Sequence, residues 1–178
     1  KDNTFKSAEK FLEAVCSDSG SAYGYSAPGG TPTLSSVGLL CRYYLGWTPK
    51  HPAFGRYVEN AIKAFPPPKS EDGKAAGSAS RLPLDMHTYF YATRILHFSN
   101  TAEWHKFWNP RIRDFFIESQ DKSDDEAKRG SWAPDSGWVG GQCGRLGTTC
   151  LCLLSLEVYY RHLPLYKRDN GGLMELER

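Results

Sequence analysis

The sequence predicts an all-α fold built from three αα-hairpin repeats. Two observations support this prediction. Apolar residues recur at three- and four-residue steps in three segments, and each such segment is followed by a helix that is apolar nearly all round. We therefore predict one repeat domain over residues 1–168, with repeats at about 4–47, 52–99 and 101–166, and a loosely ordered tail over 169–178.

The first helix of each pair is amphipathic, so we expect one of its faces to meet water. Pro110 falls within the third of these helices and should bend or restart it. The three apolar stripes consist of Phe5, Ala8, Phe11, Leu12 and Val15; of Phe54, Tyr57, Val58, Ala61, Ile62 and Phe65; and of Trp104, Phe107, Trp108, Ile112, Phe115 and Phe116.

The second helices of the pairs resemble one another in sequence. Residues 34–44 and 149–160 both begin with small residues, have Leu-Leu at the centre and end with Tyr-Tyr, and residues 85–98 form a looser third copy. The copies stand about 50 to 65 residues apart, which suits a helix pair with a long loop. Because these helices are apolar nearly all round, we expect them to be buried on most sides.

Three loops carry the helix-breaking residues: 20–32, 66–83 and 120–144. Each lies inside a pair, between the outer helix and its inner partner. Stacking the pairs side by side would bring all three loops to one rim. Loops of this length in a compact domain are often functional, so we predict that binding takes place at that rim.

Charge and hydropathy exclude two classes of partner. The 22 Lys and Arg residues nearly balance the 20 Asp and Glu residues, which leaves a net charge of +2. No positive field therefore attracts nucleic acid or an anionic membrane surface. No apolar run reaches the roughly 18 residues of a transmembrane segment. The five cysteines are an odd number, and we expect most of them to be buried thiols.

The third loop contains a motif that points to a family. Residues 116–120 read Phe-Ile-Glu-Ser-Gln and are followed by Gly130-Ser-Trp132. This pattern resembles the glutamine-tryptophan (QW) motif of squalene-hopene and oxidosqualene cyclases, the prenyltransferase and squalene oxidase repeat. A Gln side chain both donates and accepts hydrogen bonds at a helix end, Gly permits the turn, and Trp covers the amide.

The match to this motif is partial. Nine residues separate Gln120 from Gly130, where the family has two to five, and the family's basic-Gly dipeptide is missing. In the first loop Cys16 stands in the place of Gln, and Gly24-Tyr25 stand in the place of Gly-Trp. We therefore interpret the first loop as a decayed copy of the motif.

The resemblance implies that the three pairs are half of an (α/α)6-type toroid of the terpenoid cyclase and protein prenyltransferase superfamily. The other half would come from the parent chain or from a homo-oligomer partner, because an open end would expose apolar inner helices. The chain begins at Lys1 without Met or an apolar signal core, which is typical of a processed product or an excised piece.

Cyclases of this family protonate their substrate with an Asp-x-Asp-Asp motif, which is absent from this sequence. The nearest run, Asp124-Asp125-Glu126, lies in a charged insertion and is predicted to be a solvated loop. Asp85 is a weak candidate for the acid, since it starts the second inner helix at the rim. Its favoured interpretation is a helix N-cap.

No metal or cofactor is predicted. The prenyltransferase zinc site suggests Asp85, His87, Cys143 and His162 as ligands, but these four lack metal-ligand spacing. The thioester domains that share the toroid need Glu-Gln after their reactive cysteine, and the run 141–144 lacks it.

Tyrosines of the inner helices are candidates for lining a cavity, because cyclases line theirs with aromatic faces that attract cations. The alternative is that these rings pack inner helix against outer helix. Adjacent tyrosines diverge by about 100°, so one of each pair can face a cavity. The candidates are Tyr43, Tyr44, Tyr89, Tyr91, Tyr159 and Tyr160, with Phe90 beside them.

The sequence thus favours a non-catalytic or cryptic squalene-cyclase-like repeat domain. It would act as a binding or scaffold module of a larger protein or assembly, with an apolar or isoprenoid molecule as a possible ligand. The alternative is a terpenoid cyclase or prenyltransferase-type enzyme domain that acts on an isoprenoid, with its acid or metal site outside this chain.

Overall fold

The computed structural model describes residues 2–77 and 81–159. Over this part of the chain the fold is mostly helical, which confirms the predicted all-α class. The helices are α1 (Asp2–Val15), α2 (Pro32–Tyr44), α3 (Pro52–Ala64), α4 (Ser70–Gly77), α5 (Met86–Ser99), α6 (Asn109–Ser119), α7 (Trp138–Gln142) and α8 (Gly144–Leu156). The predicted tail, 169–178, and the end of the third repeat lie outside the described residues.

Helices α2, α5 and α8 lie side by side in chain order, with α5 in the middle. On one side of α5, the ring of Phe98 stacks on Tyr43 of α2 with 4.4 Å between centroids. On its other side, the sulfur of Met86 lies 3.9 Å from that of Cys152 on α8. We call these three helices the inner row, and α1, α3 and α6 are the amphipathic helices that precede its members.

The outer helices bury their apolar stripes unequally. Phe54 and Ala61 of α3 and Phe115 and Phe116 of α6 are fully or almost fully buried, as their stripes predict. On α1 only Leu12 and Val15 are buried. The other large members of its stripe, Phe5 and Phe11, are each 56% exposed. The first pair is therefore only partly covered by the described residues.

Pro110 restarts the third outer helix, as predicted. A π-helical turn over Trp104–Trp108 runs directly into α6, and Pro110 occupies the first turn of α6. A proline is tolerated there because the first amides of a helix have no intrahelical acceptor. The turn aims Trp108 into the core, where its ring nitrogen donates to Thr93 at 3.0 Å.

Helix α4 lies within the second loop and was not predicted. It packs along α6, and its closest approach is at Gly73. A Cβ on Gly73 would lie 2.8 Å from the carbonyl oxygen of Phe115. Only glycine fits this approach, and its low helix propensity explains why the segment gave no helical signal.

The second and third loops meet beside the start of α2. In the first loop, strands β1 (Cys16–Ser17) and β2 (Ala22–Tyr23) form a short antiparallel pair. The second and third loops are joined where the amide of Leu82 donates to Pro134 at 2.9 Å and that of Ser136 donates to Leu84 at 2.9 Å. Hydrogen bonding between Thr33 and Thr88 connects the start of α2 to the start of α5.

The expectation of mostly buried thiols is wrong. Only Cys152 is buried, Cys16 is half-buried, and Cys41, Cys143 and Cys150 are exposed. The apolar stretches that contain Cys41 and Cys150 do form inner helices, but each has a side that no described residue covers. No helix in the described part of the chain is long and apolar enough to cross a membrane.

Candidate binding face and its rim

One side of the inner row carries aromatic rings that the outer helices leave uncovered. On α5 this side consists of positions 87, 91, 94 and 98, which recur at three- and four-residue steps. On α2 it includes Cys41 and Tyr44. We call this surface the inner face, and its aromatic members are Tyr44, His87, Tyr91, Phe98 and Trp138.

The rings of the inner face form two groups, one at each end of α5. Tyr44 of α2 meets Phe98 of α5 edge to face, with 6.4 Å between centroids. At the other end of α5, His87 lies 5.2 Å from Tyr91 and 6.0 Å from Trp138 of α7. The rings thus extend across α2, α5 and α7.

This face is accessible. Trp138 is 64% exposed and Tyr44 is 53% exposed, whereas His87, Tyr91 and Phe98 are half-buried. Exposed aromatic faces offer apolar contact area and a negative ring surface that attracts cations. The arrangement can therefore hold a flat or apolar molecule without any reacting group. Trp138 was not among the predicted site residues, because it lies between glycines in a loop rather than in an apolar helix.

Tyr89 does not belong to the inner face and is a core residue instead. Its ring packs against Phe65 and Trp108, and its hydroxyl donates to the carbonyl of Pro66 at 3.2 Å. Burial, with a smaller contribution from the Asp85 charge, raises the pKa of Tyr89 to about 12. Residues two apart on a helix point in nearly opposite directions, so Tyr91 is half-buried on the inner face whereas Tyr89 is buried in the core.

Of the other predicted tyrosines, Tyr43 has a packing role. It stacks on Phe98 and lies edge-on to Phe54 of α3, with 6.3 Å between centroids. It therefore joins inner helix to outer helix, as the alternative interpretation proposed. Tyr160 and the side chain of Tyr159 lie outside the described residues.

Asp85 is the N-cap of α5, and its carboxylate accepts from the amide of His87 at 3.1 Å and from the hydroxyl of Thr88 at 2.8 Å. The hydroxyl of Thr33 donates in turn to that of Thr88. These bonds hold the carboxylate at the starts of α2 and α5. The Cα of Gly137 packs so closely on this carboxylate that a Cβ would lie 2.4 Å from Oδ1.

Asp135 is a second rim carboxylate, which the sequence analysis missed. It is fully buried, and it accepts from the amide of Gly137 at 2.7 Å and from the hydroxyl of Thr148 at 3.1 Å. Its own amide donates back to the Thr148 hydroxyl at 3.0 Å. This reciprocal pair attaches the third loop to α8. Asp135 follows a proline in a loop, which gave no sign of burial.

The candidate zinc ligands and the acidic run Asp124-Asp125-Glu126 do not come together as a site among the described residues. Among the described residues, no three His, Cys, Asp or Glu side chains are grouped so that they could hold a metal ion. His162 lies outside the described residues. In the charged insertion, Asp124 pairs with Arg129 and Asp125 with Lys128, all at the surface, as predicted for a solvated loop.

The Gln-Gly-Trp residues of the third loop connect α6 to α8. Gln120 follows the end of α6, and its side-chain amide donates to the carbonyl of Gly130 at 2.9 Å. Trp132 is buried, and its ring nitrogen donates to the last-turn carbonyl of Phe116 at 2.9 Å. Its backbone amide donates to Thr149 of α8 at 3.1 Å. These contacts are structural.

The insertion between Gln120 and Gly130 is closed at its base. The amide of Asp121 donates to Ser131 at 2.8 Å, and the amide of Gly130 donates back to Asp121 at 2.8 Å. Gly130 has a φ of +81°, a conformation that glycine adopts at little cost.

The first loop makes a related contact through a different residue from the one predicted. Tyr25 is 83% exposed, so Gly24-Tyr25 is not the equivalent of Gly-Trp. The buried ring is Tyr23, whose amide donates to Ser35 of α2 at 3.1 Å, just as Trp132 donates to α8. Gly20 precedes it with a φ of +88°, close to that of Gly130. Gly24 makes a tight turn against Ala27 and donates to the end of α1.

No model of a protein family, no curated protein and no solved structure matches this chain.

Proposed function

We propose that this chain is a non-catalytic helical-repeat domain that binds an apolar ligand or partner through its inner face. The observation that carries the proposal is the set of uncovered rings from Tyr44 to Trp138. Soluble proteins bury large aromatic side chains when they can, so exposed and half-buried rings on one side of adjoining helices favour a binding surface.

We further propose that the three helix pairs are half of a squalene-cyclase-like (α/α)6 toroid. The side-by-side order of α2, α5 and α8 supports this architecture. So do the matching amide contacts of Tyr23 and Trp132, because they give the first and third loops one design. In a completed ring the inner face would line the central cavity. The other half would belong to a longer parent chain or to a second copy.

The rim carboxylates favour a binding role over catalysis. The Asp85 carboxylate accepts from His87 and Thr88, and the buried Asp135 carboxylate accepts from Gly137 and Thr148. These structural contacts account for the position of both carboxylates. Both hold loops against the starts of inner helices.

Farnesol tests the binding proposal, because it is an uncharged isoprenoid that can lie along aromatic rings. We expect saturable binding by isothermal titration calorimetry. Tyr91→Ala and Trp138→Ala should each weaken it about tenfold, since each removes roughly 1.4 kcal/mol of apolar contact. Tyr25→Ala removes an exposed ring on the first loop, away from the inner face, and should leave the affinity unchanged. Absent saturation, or an equal effect of Tyr25→Ala, would contradict the proposal.

The alternative function is an isoprenoid-processing enzyme domain whose acid or metal site lies outside this chain. The aromatic inner face supports this alternative, because aromatic rings can stabilise the carbocations that such enzymes form. Incubation with squalene or a prenyl diphosphate, followed by mass spectrometry of the products, separates the two functions. Turnover would establish the enzyme, and its loss in Asp85→Asn, at an unchanged circular dichroism spectrum, would place the acid within this chain instead of outside it.

A further inference from the structure

Arg94 brings a positive charge into the inner face. It is half-buried and lies between the two groups of rings, about 10 Å along α5 from His87 and about 6 Å from Phe98. Its guanidinium carbon lies over the ring of Phe90, 4.0 Å from the centroid. A guanidinium has five N–H donors, so contact with one ring does not exhaust its capacity for hydrogen bonds. Arg94 therefore places a charged, directional donor group within an apolar surface.

The helices of the inner face contain no acidic residue to balance this charge. None of α2, α5, α7 and α8 includes an Asp or a Glu, whereas each of the outer helices α1, α3 and α6 does. The two other arginines of these four helices serve loops, because Arg42 is buried and donates to the first loop and Arg145 pairs with Asp121 in the third. Asp85, which precedes α5, lies about 13 Å along the helix from position 94. These helices thus contribute positive and no negative charge to the inner face.

We propose that the ligand of the inner face is an amphipathic carboxylate, in which an apolar chain lies on the rings and one carboxylate group binds Arg94. This inference rests on the proposed binding function of that face and adds the charge of the ligand to it. The planar fork of a guanidinium matches the two oxygens of a carboxylate, and its single charge balances a monoanion. A diphosphate, in contrast, would carry more negative charge than Arg94 balances. Long-chain carboxylic acids have the required chemistry.

Farnesoic acid and farnesol share one hydrocarbon chain and differ in the head group, so their affinities isolate the effect of the charge. By isothermal titration calorimetry at neutral pH, the wild type should bind farnesoate about three- to tenfold more tightly than farnesol, as expected for a half-buried charge pair. Arg94→Gln should make the two affinities equal and change that of farnesol by less than about twofold. Arg94→Lys keeps the charge without the planar fork and should retain part of the preference.

Arg111→Gln is the matched control. Arg111 also lies over a ring, 4.2 Å from the centroid of Phe107, but it belongs to α6 and is not part of the inner face. Its substitution removes the same charge and should leave the preference for farnesoate intact. Circular dichroism of each variant confirms that it is folded.

Three outcomes would overturn the carboxylate proposal. They are equal affinities of the wild type for the two molecules, a preference that persists in Arg94→Gln, and a preference that Arg111→Gln removes as well. In each of these cases saturable binding of farnesol still supports the proposed function of the inner face. If neither molecule binds, both proposals fail.

Discussion

The first and third loops solve one structural problem with different side chains. Each must hold the end of an outer helix near the start of an inner helix. The third loop does so with Trp132, which donates one hydrogen bond to α6 and one to α8. The first loop uses Tyr23, which donates through its amide to α2 and fills the groove at Gly38. In both loops a buried aromatic ring follows a glycine with a positive φ, and this ring joins the outer helix to the inner helix. Trp132 adds one hydrogen bond to the outer helix through its ring nitrogen.

The largest expected effect comes from removing either ring. Trp132→Ala should lower the free energy of unfolding by about 3–5 kcal/mol, because it empties a fully buried site. Tyr23→Ala should cost nearly as much, but less than Trp132→Ala, because the Tyr23 ring donates no bond to the outer helix. Urea denaturation measures both. Tyr25→Ala, whose ring is exposed, is the control and should change stability by less than about 0.5 kcal/mol. Equal costs at Tyr23 and Tyr25 would show that the two loops are not equivalent.

A smaller effect is expected when the ring of Tyr23 is crowded. Gly38→Ala places a methyl group against that ring and should destabilise the protein by about 1–3 kcal/mol through overpacking. In the Tyr23→Ala background the same change should cost much less, since the space is empty. Gly55→Ala on α3 meets no atom within 4 Å and should stabilise the protein, by up to about 1 kcal/mol, through helix propensity. Thermal unfolding of the four variants tests this.

A smaller change at Trp132 tests the bond from its ring nitrogen. Trp132→Phe removes that donor and part of the indole volume, while the Phe116 carbonyl still accepts from the amide of Gln120 at 3.2 Å, so it should cost about 1–3 kcal/mol. Tyr23→Phe removes only the hydroxyl that accepts from the Arg42 guanidinium at 3.4 Å, and should cost at most about 1 kcal/mol. If Tyr23→Phe lowers the free energy of unfolding more than Trp132→Phe does, the ring nitrogen of Trp132 is not what distinguishes the two loops.

The smallest effect depends on pH. Burial raises the pKa of Tyr23, although the hydrogen bond and charge of Arg42 oppose the rise. A phenol whose pKa is raised on folding contributes its full stability below the unfolded value, near pH 10, and loses it as the pH rises through the folded value. Alkaline conditions should therefore loosen the first loop, whereas Trp132 has no proton to lose. Tyrosinate absorbance of the wild type minus that of Tyr23→Phe gives the titration directly. A pKa at or below 10 would contradict the burial of this ring.

The helices were predictable because their apolar periodicity is strong, and Pro110 marked the restart of α6. The capping role of Asp85 followed from its position before an apolar helix. In contrast, the burial of Asp135 depends on Thr148, 13 residues away in sequence, and the packing of α4 depends on α6, more than 30 residues away, and no local pattern records either contact. The equivalence of Tyr23 and Trp132 was missed for a related reason. Matching the sequence motif alone pairs Gly24-Tyr25 with Gly130-Ser-Trp132. The hydrogen bonds to Ser35 and Thr149 show instead that Tyr23 is the counterpart of Trp132.

Spacing explains the error at Tyr89. Both Tyr89 and Tyr91 are aromatic residues on an inner helix, and composition alone treats them alike. Their separation by two positions sends one to the core and the other to the inner face. Trp138, the most exposed ring of that face, could have been found only by asking why a Trp stands between glycines at a loop rim.

The closed base of the third loop has a consequence for how this chain can be changed. The reciprocal bonds between Asp121 and residues 130 and 131 separate the charged insertion from the helices it connects. We therefore expect that the length and sequence of the insertion can change without altering how α6 packs relative to α8. A peptide epitope or a fluorophore-binding tag placed between Asp124 and Lys128 should leave the helix pair intact. The same segment is a natural point at which related chains could gain or lose a recognition loop.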